Sequence, residues 1–239
     1  MKTALISGGT EGMGKATVLQ LLNDGYNVVT FSRSKEKCTA LTKELKNCKD
    51  RLLVLTGDVT KETSVKKVVD ACAKKFGSLD VLVNNAGYGY WAASDTVDIK
   101  KYKDMIDTNL VGAAIMLKLA VPYMKKQKSG LVINIVSITG KKATYQDSEF
   151  YGATKFGMMG FSEGLRFELS KCGIKVCTIC PGMVKTPFFN EKEIERRKKH
   201  VWNGVVPQML APEHVARAIG FVCAQSEHCD IQDMNILPF

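Results

Sequence analysis

Short apolar runs alternate with longer helical patterns along the whole chain of 239 residues. Continuous apolar character predicts strands that are covered on both faces, at residues 3–7, 27–32, 52–56, 81–84, 131–137, 175–180 and 231–237. The stretches between these runs predict helices, at residues 13–24, 36–47, 62–76, 99–126, 150–171 and 212–224. Strict alternation of strand and helix predicts an α/β fold, a doubly wound parallel sheet of about seven strands flanked by helices.

The alternation continues without a linker, an internal repeat or a low-complexity tract, so we expect residues 1–239 to form a single domain. One segment departs from the pattern. Residues 188–208 form a long, charged insertion between the sixth strand and the last helix. Because insertions of this length in a compact domain are often lids, we predict that residues 188–208 cover a substrate site.

Basic residues outnumber acidic ones, 34 against 24, which gives a net charge of +10 at pH 7. Such an excess leaves nucleic acid or an anionic membrane open as partners. The lysines are scattered over several predicted helices and no nucleic-acid-binding motif occurs, so we expect no nucleic-acid partner. No signal peptide is evident, and no apolar stretch reaches the roughly 20 residues of a membrane span. We therefore expect no membrane association and a cytoplasmic location.

Eight cysteines at irregular spacing are too few for a disulfide scaffold, which favours a reducing compartment. Cys177 and Cys180 form a Cys-x-x-Cys pair within a predicted strand. Strand residues three apart face opposite sides of a sheet, so these two thiols are poorly placed to share a metal ion. We predict no metal site.

A glycine-rich turn follows the first predicted strand and opens the first predicted helix. Residues 7–14 read SGGTEGMG, with glycines at Gly8, Gly12 and Gly14. Glycines at this place allow a tight turn and bring backbone N–H groups and the helix N-terminus close to a pyrophosphate. A glycine cluster alone could be a simple turn, but the strand–turn–helix context favours phosphate binding.

The end of the second strand carries no acidic residue. In NAD sites an acid about 20 residues past the glycines binds the ribose 2′-hydroxyl. Here Ser32 takes that position and Arg33 follows it, and an arginine can pair with a 2′-phosphate. We therefore predict NADP(H) as cofactor, and we interpret most other basic residues between 33 and 51 as a solvated helix face.

The next two strands lead into polar residues whose roles the sequence leaves open. Asp58 follows the third strand and could accept a hydrogen bond from an adenine amino group or simply cap the next turn. Residues 84–87 read NNAG after the fourth strand, and could be a tight turn or could hold neighbouring backbone and cofactor in place.

Tyr151 and Lys155 lie four residues apart on a predicted helix and hence on one face. An ammonium near a phenol lowers the phenol pKa from about 10, so such a tyrosine can exchange a proton with an alcohol or carbonyl. Ser137, at the end of the fifth strand, could hydrogen-bond the reacting oxygen. Asn109 lies within a long apolar helix, where its amide either satisfies a buried backbone group or positions a water for proton relay.

These motifs together resemble those of the short-chain dehydrogenase/reductases over essentially the whole chain. The resemblance implies a Rossmann-type dinucleotide-binding and catalytic domain with a catalytic tetrad of Asn109, Ser137, Tyr151 and Lys155. In it, Tyr151 is the general acid or base, Ser137 orients the substrate oxygen, Lys155 holds the nicotinamide ribose and lowers the tyrosine pKa, and Asn109 holds a water. The cofactor-binding residues implied by the motifs are Gly8, Thr10, Gly12, Met13, Gly14, Ser32, Arg33, Ser34, Asp58, Val59, Asn85, Ala86, Gly87, Tyr151, Lys155, Pro181, Gly182, Val184 and Thr186.

Glu11 departs from the family pattern, because some NADP-preferring members place a base there, so Arg33 and its neighbours would carry the 2′-phosphate. The resemblance implies a small-molecule carbonyl/alcohol substrate, and the chain resembles the NADP-dependent 3-hydroxy acid (serine-type) dehydrogenases within the family. Steroid, sugar and 3-oxoacyl reductases stay open, as does a non-catalytic dinucleotide sensor. Arg196 and Lys199 belong to a basic cluster that could attract an acidic substrate or simply be the solvated face of a helix. The family also implies a homotetramer or homodimer.

Overall fold

The computed structural model describes residues 1–189, 191–200, 204 and 208–239. Within these residues the chain forms seven strands: β1 (Thr3–Ser7), β2 (Asn27–Ser32), β3 (Leu52–Thr56), β4 (Val81–Asn84), β5 (Gly130–Ile135), β6 (Ile174–Pro181) and β7 (Asp233–Ile236). The same residues contain eight α-helices: α1 (Gly12–Asn23), α2 (Lys35–Glu44), α3 (Glu62–Phe76), α4 (Ile99–Ile106), α5 (Gly112–Gln127), α6 (Glu149–Leu169), α7 (Glu191–His200) and α8 (Pro212–Cys223).

The strands form one parallel sheet in the order β3-β2-β1-β4-β5-β6-β7. The predicted doubly wound α/β fold is thus confirmed as a single domain with a seven-stranded sheet. The strand order reverses between β1 and β4, and in such sheets ligands bind beyond the carboxyl ends of the strands at this point.

Apolar side chains cover both faces of the sheet, which is why its central strands read as continuous apolar runs. On one face, α1 and α8 pack against the sheet through buried side chains such as Val18, Leu21 and Ile219. On the other face, α3 and α5 contribute Val69, Met116 and their neighbours. The edge strand β7 alternates exposed and half-buried residues, as expected for a strand with a neighbour on one side only.

The helix predicted over residues 99–126 is interrupted. A single π-helical turn, Asp107–Val111, joins α4 to α5, and the Gly112 amide donates to the Asp107 carbonyl across it. Such turns insert an extra residue into a helix and occur frequently at functional sites. Asn109 lies in this turn, which displaces its side chain from the ordinary helical register.

The expectation that no stretch is long enough to span a membrane is wrong for Ile99–Gln127, which passes that test by length and composition. The side chains of Met105, Met116 and Met124 on this stretch are fully buried in the protein. A helix that packs on a sheet inside a protein has the same apolar composition as a membrane span. The burial of these methionines identifies Ile99–Gln127 as such a packed helix.

The predicted insertion 188–208 contains α7, so the charged residues 191–199 lie on a helix. At its base, Val184 and Leu210 form a parallel bridge, and the Lys185 amide donates to the Leu210 carbonyl at 2.8 Å. Residues 190, 201–203 and 205–207 lie outside the described residues, as do the side chains of Arg196 and Arg197. The lid stays a prediction.

Candidate active site

A cavity of about 410 Å³ opens at the carboxyl ends of β1 to β4, beside the reversal of strand order. Its wall includes fourteen of the nineteen predicted cofactor-binding residues: Gly8, Thr10, Gly12, Met13, Gly14, Ser32, Arg33, Ser34, Asp58, Val59, Asn85, Ala86, Gly87 and Thr186. The volume lies in the range of small-molecule and cofactor sites. The sheet thus brings residues from five separate loops, those after β1, β2, β3, β4 and β6, to one cavity.

The glycine turn is held in a shape that other residues could not adopt. Gly8 has a φ of +69°, and a Cβ on Gly14 would lie 2.2 Å from the Gly8 carbonyl oxygen. The side-chain Nδ2 of Asn85 donates to the Ser7 and Gly8 carbonyls at 2.9 and 3.1 Å, so the loop after β4 fixes the turn. No side chain caps the N-terminus of α1, which leaves its first N–H groups and its dipole directed at the cavity. The turn is an anion site of the kind that binds a pyrophosphate.

The cavity wall at the end of β2 carries two cations, Arg33 and Lys37. Arg33 is exposed. The Lys37 ammonium pairs with the Glu11 carboxylate at 2.6 Å, and Ser34 caps α2 by accepting from the Lys37 amide at 3.1 Å. Lys37 was not predicted as a site residue, although its position four residues after Arg33 suggests it. These groups can hold an additional phosphate, with Glu11 as a competing anion.

Asp58 caps the turn that follows β3, because its Oδ1 atom accepts from both the amide and the hydroxyl of Thr60 at 2.9 Å. Of the two roles left open for Asp58, the structure therefore shows turn capping, through Oδ1. Asp58 also lies on the cavity wall, where it is half-buried.

The NNAG segment holds neighbouring backbone in place, one of the two alternatives left open. The Ser7 hydroxyl accepts from the amides of Asn85 and Ala86 at 3.1 and 3.0 Å, which ties the loop to β1. The Asn84 side chain points into the core, where it donates to Asn134 Oδ1 at 2.8 Å. Asn134 in turn donates to the Ser162 hydroxyl on α6 at 2.8 Å.

Tyr151 and Lys155 lie together on α6, and both are buried. The Lys155 ammonium is 5.7 Å from the centre of the Tyr151 ring and donates to the Ile135 carbonyl at 3.0 Å. Burial lowers the pKa of Lys155 from 10.5 to about 8. At pH 7 the side chain is therefore still mainly a cation, placed beside the phenol.

Ser137 ends β5 and begins a short 3₁₀ turn, Ile138–Gly140. Its hydroxyl accepts from the Thr139 amide at 3.1 Å. This turn packs directly on α6, because a Cβ on Gly140 would lie 2.8 Å from the Lys155 carbonyl oxygen. The close approach fixes Ser137 beside the helix that carries Tyr151 and Lys155.

The Asn109 side chain satisfies buried backbone, one of the two roles predicted for it. Its Oδ1 accepts from the Tyr88 amide and its Nδ2 donates to the Tyr88 carbonyl, both at 3.0 Å. Nδ2 also donates to the Thr154 hydroxyl at 3.2 Å, and Thr154 donates to the Tyr151 carbonyl at 2.8 Å. Asn109 therefore joins the loop after β4 to the helix that carries Tyr151.

A second cavity of about 10 Å³ lies behind this junction, bordered by Asn84, Thr108, Asn109, Ile135 and other residues. Asn84 is 5% exposed, and its Oδ1 accepts no hydrogen bond from the described residues. A volume of this size holds one water molecule, provided that polar partners are present. Ile135, whose carbonyl accepts from Lys155, is one of the residues that border this second cavity.

Five predicted cofactor residues do not line the large cavity: Tyr151, Lys155, Pro181, Gly182 and Val184. The last three pack elsewhere: the Gly182 amide donates to the Ile236 carbonyl at 2.7 Å, and Val184 is buried against Leu210. Residues 181–184 thus contact β7 and the base of the insertion, while Thr186 of the same loop lines the large cavity. A cofactor role for Pro181, Gly182 and Val184 stays a prediction. Cavity residues that were not predicted to bind cofactor are Glu11, Phe31, Lys37, Gly57, Tyr88, Thr108, Pro187 and Phe188.

Three aromatic rings, those of Trp91, Phe188 and Phe189, pack together beside Tyr151. Trp91 lies 5.8 Å from Tyr151, 5.6 Å from Phe188 and 5.1 Å from Phe189 between ring centres. Phe188 also lies 5.9 Å from Tyr151 and is part of the cofactor-sized cavity wall. No periodic signal in the sequence marks Trp91 as part of the site.

Among the described residues, no three His, Cys, Asp or Glu side chains are grouped so that they could hold a metal ion. The chemistry available in this part of the chain is therefore that of an anion-binding turn, a cationic pocket and a phenol beside an ammonium.

Comparison with known proteins gives the same family from sequence and from structure. The sequence profile of the short chain dehydrogenase family matches residues 2–197. Uncharacterized oxidoreductases of Staphylococcus saprophyticus and Staphylococcus aureus are 31% and 32% identical, each over 99% of this chain and 97% of the relative.

Solved structures similar to this one include serine dehydrogenase in a closed form with NADP+, with a TM-score of 0.89 at 28% identity over 99% of this chain and 94% of that chain. ElxO with NADP bound has a TM-score of 0.86 at 29% identity, over 99% of this chain and 97% of that chain. A variant of actinorhodin polyketide ketoreductase with NADPH has a TM-score of 0.88 at 26% identity, over 99% of this chain and 95% of that chain. Because the family profile covers most of the chain and these relatives align over nearly all of it, the protein belongs to the short chain dehydrogenase family of oxidoreductases.

Proposed function

We propose that this protein transfers a hydride between NADP(H) and a carbonyl/alcohol pair, with Tyr151 as the general acid or base. The observation that carries the proposal is the placement of Tyr151 and the Lys155 ammonium, 5.7 Å from the ring centre, beside a cofactor-sized cavity. When bound, NADP(H) supplies or accepts the hydride. The residues of the chain bind it, orient the substrate oxygen and move the proton.

The large cavity fits a dinucleotide with a 2′-phosphate. The turn at Gly8, Gly12 and Gly14 would hold the pyrophosphate. Its shape requires glycine, because a Cβ on Gly14 would collide with the Gly8 carbonyl. Arg33 and Lys37 would hold the 2′-phosphate. The similar structures with NADP+, NADP or NADPH bound support this choice of cofactor.

In the proposed proton transfer, Tyr151 gives its phenolic proton to the carbonyl oxygen in reduction and takes it back in oxidation. The buried Lys155 ammonium stabilises the phenolate and so lowers the pKa of Tyr151. Ser137 donates a hydrogen bond to the substrate oxygen from the turn that packs on α6. We assign these roles to Tyr151, Lys155 and Ser137 because the fold brings the three residues close together.

We place one water molecule of the proton path in the small cavity, where it would donate to Asn84 Oδ1 and bond to Asn109. Because both Nδ2 protons of Asn109 are donated to Tyr88 and Thr154, we propose that Asn109 acts on this water through its backbone. This assignment combines both roles predicted for Asn109.

The substrate predicted from the sequence is a small hydroxy acid or a related carbonyl, and the likeness to serine dehydrogenase supports it. The likeness to a polyketide ketoreductase supports the 3-oxoacyl alternative. Residues 188–208 would cover this substrate as a lid. A non-catalytic dinucleotide sensor is the competing function, and it would bind NADPH without consuming it.

We propose a homotetramer or homodimer, because apolar side chains are exposed at Val111 just before α5, on α6 and near β7. Phe156 and Phe167 on α6 are 50% and 76% exposed, and Leu237 after β7 is 52% exposed. Light scattering coupled to size-exclusion chromatography measures the assembly, and a monomer at micromolar concentration would contradict the proposal.

The decisive test compares Tyr151→Phe with the wild type in NADPH oxidation over a panel of hydroxy acid, 3-oxoacyl, steroid and sugar carbonyl compounds. Tyr151→Phe should lower kcat by about a hundredfold or more, because it removes the transferred proton. NADPH binding, followed by its own fluorescence, should stay within about twofold and shows that the variant is folded. Undiminished turnover would contradict the mechanism, and binding without turnover on every substrate would support the sensor.

The 2′-phosphate assignment has a separate test. Arg33→Ala should raise the KM for NADPH at least tenfold while leaving the KM for NADH nearly unchanged, since only NADPH carries the additional phosphate. Equal changes for the two cofactors would contradict the assignment.

A further inference from the structure

The space in front of Tyr151 is walled by aromatic rings from two different loops. Trp91 comes from the loop after β4, and Phe188 and Phe189 come from the loop after β6. The indole of Trp91 is stacked on Phe189 at an interplanar angle of 24° and meets Phe188 edge-on at 79°. Tyr151 is only 6% exposed, so a substrate that reaches its hydroxyl must contact these rings.

The position of Trp91 is fixed by a glycine beside it. A Cβ on Gly89 would lie 2.3 Å from Cη2 of Trp91 and 3.0 Å from Cζ of Phe188. The indole therefore packs directly on the loop backbone, in a space that exists only because residue 89 has no side chain. A side chain held in this way can present its ring to a ligand without losing much conformational freedom.

Two cations on the elements around Tyr151, Lys155 and Lys141, already have partners. Lys155 donates to the Ile135 carbonyl and is buried. Lys141, which follows the Ser137 turn, pairs with Asp233 at 3.7 Å. A small hydroxy acid needs a cation to neutralise its carboxylate in such an enclosed site, and the described part of the wall offers aromatic surface instead.

We propose that the substrate carries an aromatic ring next to its carbonyl group, so that this protein interconverts aryl aldehydes or ketones and the corresponding alcohols. The inference rests on the proposed function. The substrate ring lies against Trp91 and Phe188, where offset and edge-to-face contacts between rings are favourable. In reduction, the hydride of NADPH forms the new C–H bond at the carbonyl carbon, and the oxygen takes the Tyr151 proton. The products are a benzylic-type alcohol and NADP+.

The test measures kcat/KM with NADPH for acetophenone and for acetoacetate, a short 3-oxo acid of the class that the sequence predicts. The wild type should prefer acetophenone at least a hundredfold. Trp91→Ala should lower kcat/KM for acetophenone by about tenfold or more while acetoacetate changes less than twofold. Trp91→Phe, which keeps a ring, should retain most of the preference. Phe221→Ala removes an exposed aromatic side chain from α8 and should leave both substrates unchanged.

A binding measurement reports on the wall independently of turnover. The chain has two tryptophans, so Trp202→Phe leaves Trp91 as the only fluorophore of this kind. Acetophenone added with NADP+, a pair that cannot react, should quench Trp91 fluorescence with a saturable dependence, and acetoacetate should not.

The two proposals fail in different ways. Turnover of acetoacetate with no turnover of acetophenone, or an equal loss for both in Trp91→Ala, would overturn the aryl substrate while leaving the reductase intact. If neither compound is consumed and acetophenone still quenches Trp91, the aromatic site stands and the proposed reaction is contradicted. Absence of quenching would overturn the aromatic site.

Discussion

Replacing Lys155 by methionine should stabilise the protein while it removes activity. The Lys155 side chain is 7% exposed, and its ammonium has the Ile135 carbonyl as a hydrogen-bond acceptor. Burial lowers its pKa from 10.5 to about 8, which shows that the interior disfavours its charge. Methionine is a flexible apolar side chain of similar length, so Lys155→Met keeps the volume and removes the charge.

The size of the effect follows from the pKa. A change from 10.5 to about 8 corresponds to about 3 kcal/mol by which folding disfavours the charged lysine at neutral pH. Loss of the hydrogen bond to Ile135 offsets about 1 kcal/mol of this gain. We therefore expect Lys155→Met to raise the free energy of unfolding at pH 7 by about 2 kcal/mol.

The pH dependence gives the prediction its sign. Below pH 8 both the folded and the unfolded protein hold the Lys155 proton, so the full cost of the buried charge is present. Between about pH 8 and pH 10.5 the folded protein has released the proton and the unfolded protein still binds it, so wild-type stability rises with pH relative to the variant. The advantage of Lys155→Met should therefore be almost gone at pH 10. Titrating thiols affect both proteins equally and cancel in the comparison.

Urea denaturation of the two proteins at pH 7 and pH 10, followed by circular dichroism, measures this difference. Lys126→Met replaces an exposed lysine of α5 and should change the free energy of unfolding by less than about 0.5 kcal/mol. A variant that is less stable than the wild type at pH 7 would refute the reasoning. So would a stability difference that is the same at both pH values.

Three further substitutions test the cofactor turn and its surroundings. Gly9→Ala should destabilise the fold by about 1–3 kcal/mol in urea denaturation, because its Cβ would lie 2.1 Å from Thr30 Oγ1. Gly164→Ala should instead stabilise it by about 0.5–1 kcal/mol, since nothing lies within 4 Å of a Cβ at this exposed helical site; equal shifts would contradict the packing argument. Glu11→Gln removes the carboxylate that pairs with Lys37 at 2.6 Å, so the KM for NADPH should fall several-fold with little change for NADH. An unchanged KM for NADPH would show that Lys37 does not contact the 2′-phosphate.

Elements that depend on burial alone were predictable from the sequence. The bounds of β1 to β4 and of α3 agree with the predicted runs, because apolar residues on those strands are covered on both faces and Gly77, at φ +75°, ends α3. The fifth strand was predicted to reach Ser137 but ends at Ile135. The last two residues of the predicted strand, Val136 and Ser137, are apolar or small and fit the strand pattern. In the structure the Thr139 amide donates to the Ser137 hydroxyl, and the chain continues as a 3₁₀ turn.

Features that depend on contacts between distant loops were not predictable. The π-helical turn at Asp107–Val111 coincides with hydrogen bonds from Asn109 to the backbone of Tyr88, 21 residues away. Trp91 reaches the site only because Gly89 leaves space for its indole. Neither contact leaves a periodic trace in the sequence, since each depends on how the β4 loop folds over α4 and α6.

The polar residues of α6 explain how the fold positions the proposed chemistry. Tyr151, Lys155, Ser162 and Arg166 follow one another at spacings of a helical face, where an ordinary core helix would carry apolar side chains. Ser162 accepts from Asn134 on β5, and Arg166 donates to the Val176 carbonyl on β6 at 3.0 Å. These two bonds lie about one turn apart, and together with the bond from Lys155 to the Ile135 carbonyl they fix the rotation of α6 about its axis over three turns. Because a buried polar group is costly without its partner, any other rotation would be disfavoured. The helix therefore holds Tyr151 and Lys155 in one orientation, which a purely apolar face would not enforce.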